Sequence, residues 1–208
     1  MPKIRAVCFD CFGTTVDLTE RRKPYRRFIE GGYDSLSKAM LTNPFSIREL
    51  AHKTLDKPTE AMIVDWETDL EAELATIQLR PGIPAMWNAI KRAGLKIAIC
   101  SNLPFPYAQS VLEVLPDQFD AWVLSHRYGV MKPHKKIYRI VASQLHLPVS
   151  QVLFVGSRLE ADVSGPIAAG ASALPIGEFE ASLSSHPSIY APRYISKFFE
   201  RLSAVDPA

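Results

Sequence analysis

The sequence has few cysteines, no long apolar run and no excess of charge of either sign. Its 3 cysteines are too few for a disulfide framework. No stretch approaches the roughly 18 consecutive apolar residues of a membrane-spanning helix, and the N-terminus lacks the long apolar segment of a signal peptide. The 24 basic and 22 acidic residues give a formal net charge of +2, which is too balanced to indicate nucleic acid as the main partner. We therefore expect a cytoplasmic protein that binds neither nucleic acid nor a membrane.

The cysteine spacing also argues against a metal or redox centre. Cys8 and Cys11 are spaced like a redox or zinc pair, but no second pair of Cys or His residues follows at ligand spacing. We expect both residues, and Cys100, to be buried free thiols in a reducing compartment. With 208 residues, 47% hydrophobic and 22% charged, the chain has the length and composition of one globular domain, or of one domain with a modest insertion.

Short apolar runs alternate with helical patterns along most of the chain. The runs are typical of strands buried on both faces, and they lie at residues 4–9, 96–100, 122–124 and 152–155. The helical patterns lie at residues 83–93, 107–115, 134–145 and 162–169. This alternation predicts βαβ units, and therefore an α/β fold with a parallel sheet and helices on both faces.

Residues 19–79 interrupt the alternation, because they contain no run that is typical of a strand. Ser46 and Glu49 form a capping-box pattern that opens a helix, and apolar residues recur at helical spacing across residues 60–77. We therefore predict that residues 1–18 and 80–208 form the α/β core and that residues 19–79 form an inserted helical block. Near the end of the chain, we expect a loop at residues 182–192 and a closing helix at residues 194–202.

Polar side chains stand at the ends of the predicted strands or shortly beyond them. In chain order they are Asp10, Ser101, Asn102, Lys132, Ser157 and Asp162. In an open α/β sheet the ligand binds beyond the carboxyl ends of the strands. We therefore expect these side chains to converge at one edge of the sheet.

Four motifs at this edge resemble, in order and spacing, those of the haloacid dehalogenase-like (HAD) hydrolase superfamily. They are F-D-C-F-G-T-T at residues 9–15, I-C-S-N at 99–102, K-P-H-K-K-I-Y at 132–138 and F-V-G-S-R-L-E-A-D at 154–162. The resemblance implies a Rossmann-like core. It also implies that the helical insertion at residues 19–79 is the family's cap, which closes the site and selects the substrate.

The resemblance further implies roles for the motif residues. Asp10 is expected to be the nucleophile and to carry a covalent intermediate that water hydrolyses. Ser101, Asn102 and Lys132 are expected to stabilise charge around Asp10, and Asp162 is expected to orient the water. The expected substrate is a small anionic molecule, and the residues assigned to its binding are Phe12, Gly13, Thr14, Tyr138 and Ser157.

Two positions depart from the pattern of the family's phosphatases. Those enzymes usually carry an acid at the position of Phe12, which protonates the leaving oxygen, and an aspartate at that of Ser157, which binds Mg²⁺. Phenylalanine cannot transfer a proton, and a serine hydroxyl is an uncharged metal ligand. Both residues resemble those of the 2-haloacid dehalogenases, which use no metal and release a halide that needs no proton. We therefore predict a metal-independent hydrolase of dehalogenase type, with no cofactor.

Two other functions stay open on the sequence. One is a Mg²⁺-dependent phosphatase with a weakened site, in which Asp10, the carbonyl of Phe12 and Asp162 would bind the metal. The other is a catalytically reduced protein retained for binding. Leu159 stands where the dehalogenases carry an asparagine, and their halide-binding arginine has no assigned counterpart. The arginines near its position are Arg21, Arg22, Arg26 and Arg27, and the cap side chains considered for substrate choice are Tyr25, Phe28, Tyr33, Phe45 and Trp66. The sequence also leaves open whether the chain forms a homodimer.

Overall fold

The computed structural model describes residues 3–26, 34–55 and 57–184, and this part of the chain is organised around a parallel β-sheet. Its strands are β1 (Ala6–Phe9), β2 (Val16–Leu18), β3 (Ile77–Leu79), β4 (Lys96–Ser101), β5 (Ala121–Leu124), β6 (Val152–Gly156) and β7 (Ser172–Pro175). Five of them form the main sheet in the order β5-β4-β1-β6-β7, and every neighbouring pair is parallel. The first strand is therefore central, so the chain leaving it enters the middle of the sheet edge.

Helices connect these strands. They are α1 (Asp34–Thr42), α2 (Ile47–Thr54), α3 (Glu60–Leu74), α4 (Ile83–Arg92), α5 (Tyr107–Val114), α6 (Ser125–Tyr128), α7 (Lys135–Leu145), α8 (Gly165–Ala168) and α9 (Ile176–Ser184). A 3₁₀ turn at Val149–Gln151 precedes β6, and a π-helical turn at Leu159–Ser164 follows it. Most predicted helices of the core begin and end within a residue of these bounds.

The alternating side chains of the central strand explain why both faces of the sheet carry helices. All four residues of β1 are buried. Val7 and Phe9 belong to the larger apolar cluster, where Phe9 stacks on Trp87 of α4 at 6.1 Å between ring centroids. Ala6 and Cys8 point into the second cluster, which contains Tyr138 of α7. The predicted α/β class, with a parallel sheet covered on both faces, is confirmed.

The region between β2 and β3 is mostly helical in the described residues, as predicted. Ser46 and Glu49 form the predicted capping box at the start of α2. Helix α3 buries Ile63, Trp66 and Leu70 in the larger apolar cluster. The division of the chain into a core and a cap at residues 19–79 stays a prediction.

Four details of the predicted secondary structure are corrected or extended. The expectation of no strand in residues 19–79 is wrong, because Ile77–Leu79 pairs antiparallel with Val16–Leu18. The helix predicted at residues 162–169 begins earlier, as the π-helical turn. Strand β7 and helix α9 were not predicted, and α9 includes the first residues of the expected loop at 182–192. The remainder of that loop and the closing helix at 194–202 lie outside the described residues.

The three cysteines are free and buried, as predicted. Burial raises the pKa of the Cys11 thiol, and the neighbouring Asp10 carboxylate raises it further. Burial likewise raises the pKa of Cys8. Both thiols are therefore held in the protonated form, which is neither nucleophilic nor metal-binding. None of the described helices has the length and apolar character that crossing a bilayer requires.

Candidate active site

The carboxyl ends of β1, β4 and β6 meet at one edge of the sheet, where a small pocket opens. Its volume is about 40 Å³, which is room for a few water molecules or a small ligand group. The pocket is lined by Asp10, Phe12, Ser101, Asn102, Lys132, Arg158 and Ala161. Four of these residues, namely Asp10, Ser101, Asn102 and Lys132, were predicted as catalytic from the sequence.

The Lys132 ammonium group lies between two carboxylates at the floor of the site. Lys132 Nζ is 2.9 Å from Asp10 Oδ1, 2.5 Å from Asp162 Oδ1 and 2.9 Å from the Cys100 carbonyl oxygen. All three residues of the charged cluster are buried, at 8% exposure for Asp10 and 3% each for Lys132 and Asp162. Because an ammonium group has three N–H donors, these contacts use all of them.

The charge state of Lys132 follows from these contacts. Burial by itself lowers the pKa of a lysine, but the attraction of Asp10 and Asp162 outweighs burial and raises the pKa of Lys132 well above its usual value. Lys132 therefore stays protonated at neutral pH. It is a fixed positive charge beside Asp10 and a poor proton donor.

Asn102 holds the backbone of Lys132. Its Nδ2 donates to the Lys132 carbonyl at 2.8 Å, and its Oδ1 accepts from the Lys132 N–H at 2.8 Å. These two bonds fix the loop that delivers the lysine to the end of β1. Asn102 is therefore placed to position Lys132, although it also lines the pocket.

Asp162 is shared between Lys132 and the loop after β6. Its Oδ1 accepts from Lys132, and its Oδ2 accepts from the Arg158 N–H at 2.9 Å. A Cβ at position 156 would collide with the Asp162 carboxyl group, so Gly156 is what allows this close approach. Asp162 does not line the pocket. The geometry gives it a role in holding Lys132 and Arg158, and it lends no support to a direct contact with water.

The loop after Asp10 is closed on itself. The N–H groups of Thr14, Thr15 and Val16 all donate to the Cys11 carbonyl, and the Thr15 hydroxyl donates to the Asp10 carbonyl at 3.0 Å. Gly13 adopts φ +74°, a left-handed conformation that favours glycine. This tight turn fixes the backbone on which Asp10 stands.

The predicted substrate-binding residues of this loop and of β6 differ in their placement. Gly13 approaches Ser157 closely, since a Cβ on Gly13 would lie 3.1 Å from Ser157 Oγ. Ser157 is exposed. The Thr14 side chain is buried, and its hydroxyl has no hydrogen-bond partner in the described part of the chain. Phe12 is the member of the predicted binding set that lines the pocket.

Arg80 is a site-supporting residue that sequence reasoning missed. Its Nη1 donates to the carbonyls of Gly13 at 3.0 Å and Thr14 at 3.1 Å. The same guanidinium pairs with Asp17 and Glu180, each at 3.3 Å. Arg80 thus connects the loop after Asp10 to β2 and α9. Its position just after a three-residue strand gave no signal that it faces this loop.

Phe12 is held in place by a buried aromatic and acidic cluster. Its ring meets Tyr107 of α5 edge to face, with centroids 5.7 Å apart. Tyr107 donates its hydroxyl to Glu73 Oε1 at 2.6 Å, and Glu73 Oε2 accepts from the N–H groups of Arg22 at 2.6 Å and Lys23 at 2.7 Å. Burial, followed by Glu73, raises the pKa of Tyr107. A carboxylate on α3 therefore ties the segment after β2 to the helix behind Phe12.

Tyr138 does not reach the pocket. It is fully buried, its ring packs edge to face on Phe154 at 5.2 Å, and its hydroxyl donates to the Ala161 carbonyl at 2.7 Å. The predicted contact between Tyr138 and substrate has no support in this geometry. The side chain instead holds the π-helical turn onto α7.

The described arginines and aromatic residues of the helical block that were considered for the substrate do not line this pocket either. Arg22 pairs with Glu20 at 3.6 Å and Asp69 at 3.5 Å, and Arg21 and Arg26 are exposed. Tyr25 and Trp66 are buried and Phe45 is partly buried, all in the larger apolar cluster. Arg27, Phe28 and Tyr33 lie outside the described residues. The pocket's own arginine, Arg158, was not singled out from the sequence.

The donor set fits a divalent cation poorly. The predicted ligands are Asp10, the carbonyl of Phe12 and Asp162, but the ammonium of Lys132 lies between the two carboxylates. Mg²⁺ needs about six oxygen ligands, and Ser157 offers only an uncharged hydroxyl. The described residues contain no cluster of three or more His, Cys, Asp or Glu side chains that could hold a metal ion.

Comparison with known proteins assigns the family. The model of the haloacid dehalogenase-like hydrolase family matches residues 4–170. This match spans most of the chain, and the chain therefore belongs to that family of hydrolases, as its four motifs predicted.

Individual relatives differ in activity. Pyrimidine 5'-nucleotidase YjjG of Escherichia coli (strain K12) is 42% identical over 93 residues, which cover 43% of this chain and only 41% of that protein. (S)-2-haloacid dehalogenase 1 of Pseudomonas sp. (strain CBS-3) is 24% identical over 176 residues, covering 76% of this chain and 78% of that protein. Among solved structures, the HAD family enzyme bt-2542 of Bacteroides thetaiotaomicron aligns with a TM-score of 0.61 and 14% identity, covering 84% of this chain and 94% of that one. This structural likeness concerns the fold alone.

Proposed function

We propose that this hydrolase is of dehalogenase type, that it uses Asp10 as its nucleophile without a metal ion, and that its substrate is a small molecule bearing a carboxylate. One observation carries the proposal: the pocket pairs a carboxylate with a permanent ammonium, yet its lining offers no acid for a leaving group. Phe12 has no exchangeable proton, and the raised pKa of Lys132 makes it a poor acid. Such a pocket suits a leaving group that departs as a stable anion.

The first step follows from this arrangement. An Asp10 carboxylate oxygen attacks the carbon that bears the halogen, the new carbon–oxygen bond gives an ester, and the halide leaves with the bonding electrons. Lys132 donates a hydrogen bond to Asp10 Oδ1 and so holds the carboxylate in place. No proton is transferred in this step, which is why phenylalanine serves at position 12.

The second step regenerates the enzyme. Water attacks the ester carbonyl carbon of Asp10, and the bond between that carbon and the former attacking oxygen breaks. One proton of the water remains on the hydroxyl of the released 2-hydroxy acid, and the other is lost as Asp10 returns to its carboxylate. Lys132 is the nearest cation to the negative charge that develops on the ester oxygen. The backbone N–H groups of Cys11 and Phe12, which make no hydrogen bond within the described residues, are available to this charge as well.

The test is halide release from L-2-chloropropionate in the presence of EDTA, with Asp10→Asn as the control. We expect release by the wild type and none by the variant. Release that needs added Mg²⁺, or that survives in Asp10→Asn, would contradict the proposal.

A second candidate is a Mg²⁺-dependent phosphatase, favoured by the 42% identity to a nucleotidase over part of the chain. Its test is hydrolysis of p-nitrophenyl phosphate with and without Mg²⁺. Phe12→Asp combined with Ser157→Asp restores an acid and a charged metal ligand. A gain of Mg²⁺-dependent activity in this double variant would support a phosphatase ancestry, and no gain would count against it.

A further inference from the structure

Arg158 is a second cation in the lining of the pocket, beside Lys132. It lines the same pocket as Asp10 and Lys132, and its side chain is exposed. It forms no ion pair with the part of the chain that the structure describes. Its backbone N–H donates to Asp162 Oδ2 at 2.9 Å, so the point from which its side chain leaves the backbone is fixed by the charged cluster.

The charges at the site show what Arg158 adds. Asp10 and Asp162 each carry a negative charge, and the single ammonium of Lys132 is committed to both. Without Arg158 this cluster is therefore net negative, and it would repel an anionic substrate at close range. With Arg158 the four charges balance. An anion can then approach Asp10 without a metal ion to offset the carboxylates.

Ser157, which precedes Arg158, also favours a site that accepts an anion without a metal ion. Ser157 stands where the family's phosphatases carry an aspartate, so the pair Ser157 and Arg158 makes this edge of the site more positive than an acidic metal-binding edge. Arg21, Arg22 and Arg26, the described arginines considered in the helical block, do not line the pocket. Arg22 is engaged by Glu20 and Asp69. The guanidinium that lines the pocket belongs to the loop directly after β6.

We propose that Arg158 binds the carboxylate of the substrate, and that it thereby selects small molecules with an anionic group close to the carbon that Asp10 attacks. A guanidinium matches a carboxylate with two parallel N–H donors. The inference rests on the proposed function for the identity of the reacting carbon. The binding of a carboxylate at Arg158 can nevertheless be measured without turnover.

The experiment compares Arg158→Gln and Arg158→Lys with the wild type and with Arg139→Gln. Arg139 is an exposed arginine on α7 and does not line the pocket, so it controls for the loss of one surface charge. Two readouts are used. The first is the kinetics of halide release from L-2-chloropropionate and from its uncharged analogue 2-chloropropionamide. The second is calorimetric binding of L-lactate, with lactamide as its uncharged counterpart.

We expect Arg158→Gln to raise KM for 2-chloropropionate and Kd for lactate by about tenfold or more, the range for losing a charge-assisted hydrogen bond. The kcat, and all values for the two amides, should change little. Arg158→Lys should recover part of the loss, because it keeps the charge but not the paired donors. Arg139→Gln should behave as the wild type.

The outcomes separate this inference from the proposed function. If Arg158→Gln loses lactate binding and the protein releases no halide, the result supports carboxylate binding by Arg158 and contradicts the dehalogenase proposal. If Arg158→Gln releases halide with an unchanged KM, the result overturns carboxylate binding by Arg158 and leaves the dehalogenase proposal standing. Equal losses for the carboxylate and the amide, or a wild type that binds no lactate at millimolar concentration, also overturn it.

Discussion

Lys132→Met removes the charge that holds the site together while keeping a side chain of similar length. It leaves Asp10 and Asp162 buried side by side with no cation between them. Breaking a buried ion pair from one side costs about 3–5 kcal/mol. In a chain of this size that corresponds to a fall in Tm of roughly 6–20 °C. Thermal unfolding at pH 7 measures this loss of stability. The control is Lys136→Met, because Lys136 is an exposed lysine of α7. This control should change stability by no more than about 0.5 kcal/mol.

The pH dependence distinguishes lost charge from lost packing. The contribution of the Lys132 charge, and with it the deficit of Lys132→Met, should depend on pH. In the wild type the attraction of Asp10 and Asp162 raises the pKa of Lys132. Its contribution is complete below the lysine's unfolded pKa of about 10.4 and is lost as the pH rises beyond it. A deficit below about 1 kcal/mol, or one that does not change with pH, would refute the argument that Lys132 is the counter-charge of the two carboxylates.

Two further substitutions test the placement of individual side chains. Asn102→Ala removes both hydrogen bonds to the Lys132 backbone. We expect steady-state kinetics to show a fall in kcat of at least about tenfold, with a smaller change in KM. A change in KM alone would contradict this expectation. Tyr138→Phe removes the bond to the Ala161 carbonyl and should cost about 1 kcal/mol of stability with kcat and KM nearly unchanged. A large rise in KM would instead favour the substrate contact that the sequence suggested.

The edge at which the site lies could be predicted from the sequence because it depends on local patterns. Each buried strand is read from a short apolar run, and the polar residues after the strands follow from where those runs end. In a parallel sheet the carboxyl ends lie together, so Asp10, Ser101 and Lys132 could be expected to meet without any knowledge of distances. The same argument gives no information on which atoms meet.

The particular partners could not be predicted, because they depend on contacts between distant parts of the chain. Asn102 was expected to stabilise charge around Asp10, but its amide is paired with the backbone of Lys132, thirty residues further along. Arg80 donates to the carbonyls of Gly13 and Thr14, although the helical block separates it from them in the sequence. Neither contact leaves a spacing in the sequence that could be recognised.

Some of the secondary structure was hidden for a different reason. The strand Ile77–Leu79 has three residues and pairs with another strand of three, which is too short for an alternating pattern to be recognised. The π-helical turn after β6 has a geometry that is rare in proteins, and the stretch at residues 162–169 looked like an ordinary helix. The turn matters to the site, because it brings Asp162 back to the backbone of Arg158.

The claim that Asp10 forms an ester is tested most directly by a single turnover of L-2-chloropropionate in water enriched in heavy oxygen, with enzyme in excess. Because water attacks the carbonyl carbon of the ester, we predict that the heavy oxygen appears in the carboxylate of Asp10, detected by mass spectrometry of the peptide that contains it, and that the first lactate released carries none. Heavy oxygen in the product and none in Asp10 would show that water attacks the substrate itself. That result would contradict the account, as would the absence of any turnover.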